Sequence, residues 1–173
     1  MTTALTTALP TVAILVILAL GFATGLRTMT AITVLCWFAW RGDIPVGGTW
    51  AFWIASPVAV VVFTLLAAGE YVGDKLPKTP NRTDAGPLIA RLVFAGLGGA
   101  VLAASFHAAP LKGILAGVAG ALIGAFGGYF ARRSLVKTTR RPDWNIAVME
   151  DLCALAISIF ALLSLLSIVP HRG

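Results

Sequence analysis

The chain has 173 residues, of which 58% are hydrophobic and 12% charged, with a net charge of +6. A typical globular chain carries about 25% charged residues, so this composition argues against an ordinary water-soluble domain and for lipid, provided the apolar residues fall in spanning runs. The basic excess on a soluble chain would suggest nucleic acid, but here it sits in two short loops between apolar runs, as topology signals do, and no nucleic-acid partner is expected.

Residues 8 to 40 contain one charge, Arg27. That run is too long for a single pass and short for two, given about 20 residues per pass. Two readings follow. In one, a helix over about 9–25 ends near Gly25, Arg27 sits at a tight turn, and a short helix covers 28–40. In the other, a single tilted helix is broken at Gly21 and Gly25 and holds Arg27 within the membrane. Glycine weakens a helix by about 1 kcal/mol relative to alanine, so a break near Gly21 and Gly25 is expected in either case. The N-terminus lacks a basic flank and a good cleavage site for a signal peptide, and reads as a retained first helix. Cys36 and Cys153 lie alone in apolar runs, which argues against a metal or redox motif.

Residues 44–69, 92–111, 113–131 and 152–170 carry no Asp, Glu, Lys or Arg. Further segments are therefore predicted at about 51–73, 88–107, 112–131 and 147–168. The whole chain, 1–173, reads as a single all-α domain, a polytopic transmembrane helix bundle of five or six segments. Within it, Gly113, Gly117, Gly120, Gly124 and Gly128 recur every three or four residues and predict a closely packed helix face. The neighbour is another segment of the chain or a second copy in a homo-oligomer; the glycines at 96, 98 and 99 favour the former.

Lys and Arg mark cytoplasmic loops. Lys75, Lys78 and Arg82 fall in one loop, 75–86, and Arg132, Arg133, Lys137, Arg140 and Arg141 in another, 132–141. With both inside, "EYVGDK" puts Glu70 and Asp74 at the cytoplasmic end of one helix, one turn apart. "WNIAVMED" brings Asn145, Glu150 and Asp151 to the same side. Arg132 joins them, as does Arg27 in the six-segment reading. Intramembrane charges cost about 2.5–3.5 kcal/mol each on insertion scales and are functional candidates by default.

Three motifs carry a resemblance: "GLRT" at Gly25–Thr28, E-x3-DK-x-P at Glu70, Asp74, Lys75 and Pro77, and N-x4-ED at Asn145, Glu150 and Asp151. In this order, over about 12–168, the chain resembles an uncharacterised bacterial family of small integral membrane proteins, a domain of unknown function. It departs from that family where Pro87 and Arg91 stand apart instead of forming an Arg-Pro pair. The resemblance implies a multi-pass protein of the bacterial inner membrane and supplies no activity.

The residues predict a small channel or transporter for a cation or small solute. Its pathway is assigned to Arg27, Glu70, Asp74, Glu150 and Asp151 at the cytoplasmic membrane face, supported by Thr24, Thr28, Thr30, Lys75, Asn145 and Arg132. If the transported ion is a metal, hard oxygen donors without His or Cys suit Mg²⁺ or Ca²⁺. The alternative is a scaffold or envelope-maintenance protein whose charges lock helix packing. A lipid-modifying enzyme is the weakest reading, because no nucleophile with a nearby base is visible; the protein is expected to be no enzyme and to need no cofactor. Its expected partners are the lipid bilayer and, as a candidate, a second copy of itself.

Overall fold

A computed structural model describes residues 10–73, 84–139 and 143–168. The described chain is all-helical: α1 (Thr11–Leu26), α2 (Thr30–Trp40), a 3₁₀ helix (Trp50–Ala55), α3 (Pro57–Gly73), α4 (Ala85–Ser105), α5 (Pro110–Thr139) and α6 (Asp143–Ile168). Three stretches, Ala85–Ser105, Pro110–Val136 and Asn145–Ile168, are long and apolar enough to cross a membrane; α1, α2 and α3 are shorter apolar helices. At 1.5 Å per residue the 11-residue α2 is only about 16 Å long, half of a hydrocarbon core of about 30 Å.

The first apolar run is interrupted at Arg27–Met29, just past Gly25, so of the two readings the observed one is a helix ending near Gly25, a turn at Arg27 and a short second helix. Gly21 and Gly25 lie inside α1, where they do the opposite of breaking it. A Cβ on Gly21 would run into the carbonyl oxygen of Gly117, and one on Gly25 into that of Ala121. The glycines are sites of close approach between α1 and α5. Helices in lipid gain little by burying apolar surface against each other, so their association rests on such contacts.

Helix α5 is wedged between α1 and α4 through its small residues. Gly113 and Gly117 meet the α4 backbone at Gly99 and Ala95, while Gly120 and Gly124 meet the α1 backbone at Leu18 and Phe22. Gly128, one turn further on, is also buried. Successive members of the stripe thus serve two neighbours within the chain. Gly98 meets nothing within 4 Å.

The 51–73 segment is two pieces. Proline disfavours helical backbone at the residue before it, and Ser56 is extended with ψ 146°. Its hydroxyl accepts the Ala59 N–H at 3.1 Å, so Ser56 caps α3 and Pro57 takes the first helical position, where its missing N–H costs nothing. Trp37, Trp40, Trp50 and Trp53 gather where α2 ends and α3 begins, the composition of a membrane–water interface. At the far end of α4, His107 adopts φ 51°. The Ala108 N–H reaches the Ala103 carbonyl and the His107 N–H that of Ala104, a Schellman closure that turns the chain into α5.

Candidate functional site

The turn between α1 and α2 is the unusual feature of the fold. Thr24, Gly25, Leu26, Arg27, Thr28 and Thr30 are all buried, so a piece of irregular backbone runs through the interior. A helix start leaves its first N–H groups without intrahelical partners, and α2 receives no capping bond from its own N-cap side chain, Met29. The partner comes from 41–42 residues away. Glu70, near the end of α3, accepts the Thr28 N–H at its Oε1 (2.7 Å) and the Met29 N–H at its Oε2 (2.8 Å). Both carboxylate oxygens are engaged, in charge-assisted bonds at the positive end of the helix dipole.

Beside Glu70, the Tyr71 hydroxyl and the Thr30 hydroxyl are hydrogen-bonded at 2.8 Å. Thr33, one turn along α2, places its hydroxyl 2.7 Å from the Met29 carbonyl oxygen and 2.9 Å from that of Phe63. Helices α2 and α3 are thus fastened along their length by polar contacts. Thr24 donates to the Leu20 carbonyl oxygen within α1, satisfying its hydroxyl locally.

Arg27 is fully buried, and its Nε lies 2.5 Å from Asp151 Oδ1 on α6. Its Nη2 donates at 3.5 Å to the carbonyl oxygen of Ala147, four residues earlier and on the same face of α6. Glu150 takes a different neighbour: its Oε2 stands 3.8 Å from Arg132 Nη1 on α5. The adjacent acids of α6 therefore tie it to two elements, the α1–α2 turn and α5. Asn145, about one and a half turns before, is half-buried. Asp74 and Lys75 lie outside the described residues.

The structure thus brings Arg27, Glu70 and Asp151 around one buried turn, with Thr28, Thr30 and Tyr71, and sets Glu150 and Arg132 beside it. Glu150 is seven residues into α6, about 10 Å along the helix, and Thr30 lies about 10 Å along α2 from Trp37 and about 15 Å from Trp40.

Two residues were missed in the sequence. Tyr71 adjoins Glu70 and had a legible signal, since a tyrosine hydroxyl drawn into an apolar helix needs a partner. Arg91, noted only as standing apart from Pro87, is 4% exposed on α4; an arginine in the second turn of an otherwise apolar helix was signal enough. Among the described residues no group of three or more His, Cys, Asp or Glu side chains is placed to hold a metal ion.

Residues 14–168 match the family model of a domain of unknown function, DUF4126. The chain belongs to the DUF4126 family. No curated protein matches, and neither does any solved structure. The DUF4126 match begins within α1 and ends with the last residue of α6, so it encloses the buried turn and the pairs around it.

Proposed function

We propose that this DUF4126 protein is a small, multi-pass transport protein of the bacterial inner membrane that moves a cation or small solute. Basic loops 75–86 and 132–141 face the cytoplasm in this reading, following the positive-inside rule. The observation that carries the proposal is the α1–α2 turn, a non-helical segment with an ionised pair, Arg27 and Asp151, inside an apolar bundle. Irregular backbone at membrane depth is tolerated where it is buried in protein or lines a cavity. Discontinuous helices with charged partners at their ends are how many transporters build a site near the midplane. Under this assignment Arg27, Glu70 and Asp151 form the coupling centre, and Glu150 with Arg132 holds α6 against α5. The chemistry is binding and release, with no bond made or broken in a substrate.

A scaffold role is the second reading, favoured by one specific observation: Glu70, Glu150 and Asp151 each engage a group of the same chain. Charges satisfied in this way fix helix positions whether or not anything moves past them.

Ion flux into liposomes separates the two. Purified wild type should pass protons or cations, and Glu70→Gln, matched for folding, should lose or alter that flux. A folded wild type that moves none of them would leave the scaffold reading in place.

A further inference from the structure

The bonding around Glu70 bears on which ion the site couples to. We propose, resting on the transport reading above, that the coupling ion is a proton taken up by Glu70, and that its uptake releases the α1–α2 turn from α3.

A divalent cation does not fit. Mg²⁺ and Ca²⁺ need several oxygens with available lone pairs pointing at one point. Here the two Glu70 oxygens face two N–H donors, whose positive ends would confront a cation placed between them. The Asp151 carboxylate lies against the Arg27 guanidinium, and that of Glu150 faces Arg132. Coordinating a metal would require breaking the helix cap and parting at least one carboxylate from its arginine.

A proton makes no such demand. A carboxylate that gains one becomes a donor at one oxygen and keeps acceptor capacity at the other. One of the two N–H bonds must then weaken or break, because an O–H cannot accept strongly from an N–H where a carboxylate oxygen did. The other loses the charge that strengthened it. The proton comes from water and returns to water, so the step is balanced without another reactant.

The geometry also says what moves. Glu70 joins α3 to the start of α2, whereas Arg27 joins the end of α1 to α6. Neutralising Glu70 loosens the first connection and leaves the second intact. Among the described residues, the charged and titratable groups grouped with Glu70 are Arg27 at the turn, Asp151 on α6 and the adjacent Tyr71 on α3. The Tyr71 phenol is within electrostatic reach of Asp151, Glu70 and Arg27. The Arg27–Asp151 contact uses neither Glu70 oxygen, so that anchor persists while Glu70 changes state.

The test is amide hydrogen exchange at Thr28 and Met29 in the full chain in lipid nanodiscs, followed from neutral to acidic pH and corrected for intrinsic exchange. Protection at these two amides should fall at least tenfold on acidification, while amides along the α4–α5 interface keep theirs. Glu70→Gln should show the low protection at every pH, and added Mg²⁺ or Ca²⁺ at neutral pH should change nothing. Should Glu70→Gln fail to fold, infrared difference spectra of wild type decide instead. The chain has two glutamates, Glu70 and Glu150, so ¹³C-glutamate labelling with Glu150→Gln assigns the carboxylic acid band. Protection that ignores pH, no glutamate band on acidification, or protection altered by Mg²⁺ overturns the proton assignment. Because exchange is read without a gradient, that failure is distinct from an absence of flux, which would remove the transport reading itself.

Discussion

The carboxylate of Glu70 on α3 receives the backbone N–H of Thr28 at 2.7 Å, across 42 residues of sequence, and with the Met29 N–H closes the open start of α2. A helix that begins inside an apolar bundle has no water to satisfy these donors, and an unpaired buried polar group is costly. A side chain with two acceptor oxygens and a negative charge, delivered by a neighbouring helix, solves both problems at once.

Replacing Glu70 with alanine leaves those N–H groups without their acceptors. Hydrogen bonds to a charged group contribute about 1.5–3 kcal/mol, so Glu70→Ala should lower stability by about 2–3 kcal/mol. Glu70→Gln, which retains one acceptor oxygen, should cost less. Reversible unfolding in mixed micelles with increasing denaturing detergent measures the difference.

Arg27 and Asp151 should show strong non-additivity. Removing one member of a buried ion pair costs about 3–5 kcal/mol, while exchanging both for apolar residues of similar volume is often neutral or stabilising. Arg27→Ala alone should therefore unfold much of the population, and Arg27→Met with Asp151→Leu should restore the fold. The same unfolding assay, arranged as a double-mutant cycle, gives the coupling.

Glycines that look alike in sequence should behave differently. At Gly99 and Gly113 an added methyl meets the opposing backbone, whereas at Gly127 it meets nothing within 4 Å. Gly99→Ala and Gly113→Ala force α4 and α5 apart and should cost about 1–3 kcal/mol, as overpacking typically does. Gly127→Ala should be neutral or gain up to about 1 kcal/mol from helix propensity. Thermal stability in detergent ranks the three.

The orientation has its own test. With the basic loops inside, the loop between α2 and the 3₁₀ helix faces out, and Gly47 there has open space around it. A cysteine introduced as Gly47→Cys should react with a membrane-impermeant maleimide added to intact cells, and one at Arg133→Cys should react only after lysis. Reversed labelling would invert the topology.

Much of this architecture was legible because lipid simplifies the reading. Uncharged runs of spanning length predict helices without recourse to subtle periodicity, and Glu70, Glu150, Asp151 and Arg27 all carry a charge where charge is costly. The partners were not legible. Glu70 bonds backbone, and no residue type at 28 or 29 announces that its N–H needs a carboxylate. Gly21 and Gly25 were ambiguous for a local reason: the absent side chain that weakens a helix also admits a neighbour, and only the position of α5 decides between the two. Pro57 had the clearer signal, since an X-Pro step discourages helix before it, yet the apolar run around it masked the break.

The most direct test of the transport assignment compares proton and cation flux in liposomes holding wild type with liposomes holding the Arg27→Met/Asp151→Leu double variant, after circular dichroism and unfolding show both are folded. The account predicts flux through wild type and none through the variant, whose bundle keeps its shape but has lost the buried Arg27–Asp151 pair. Equal flux through both, or none through a folded wild type, would contradict it.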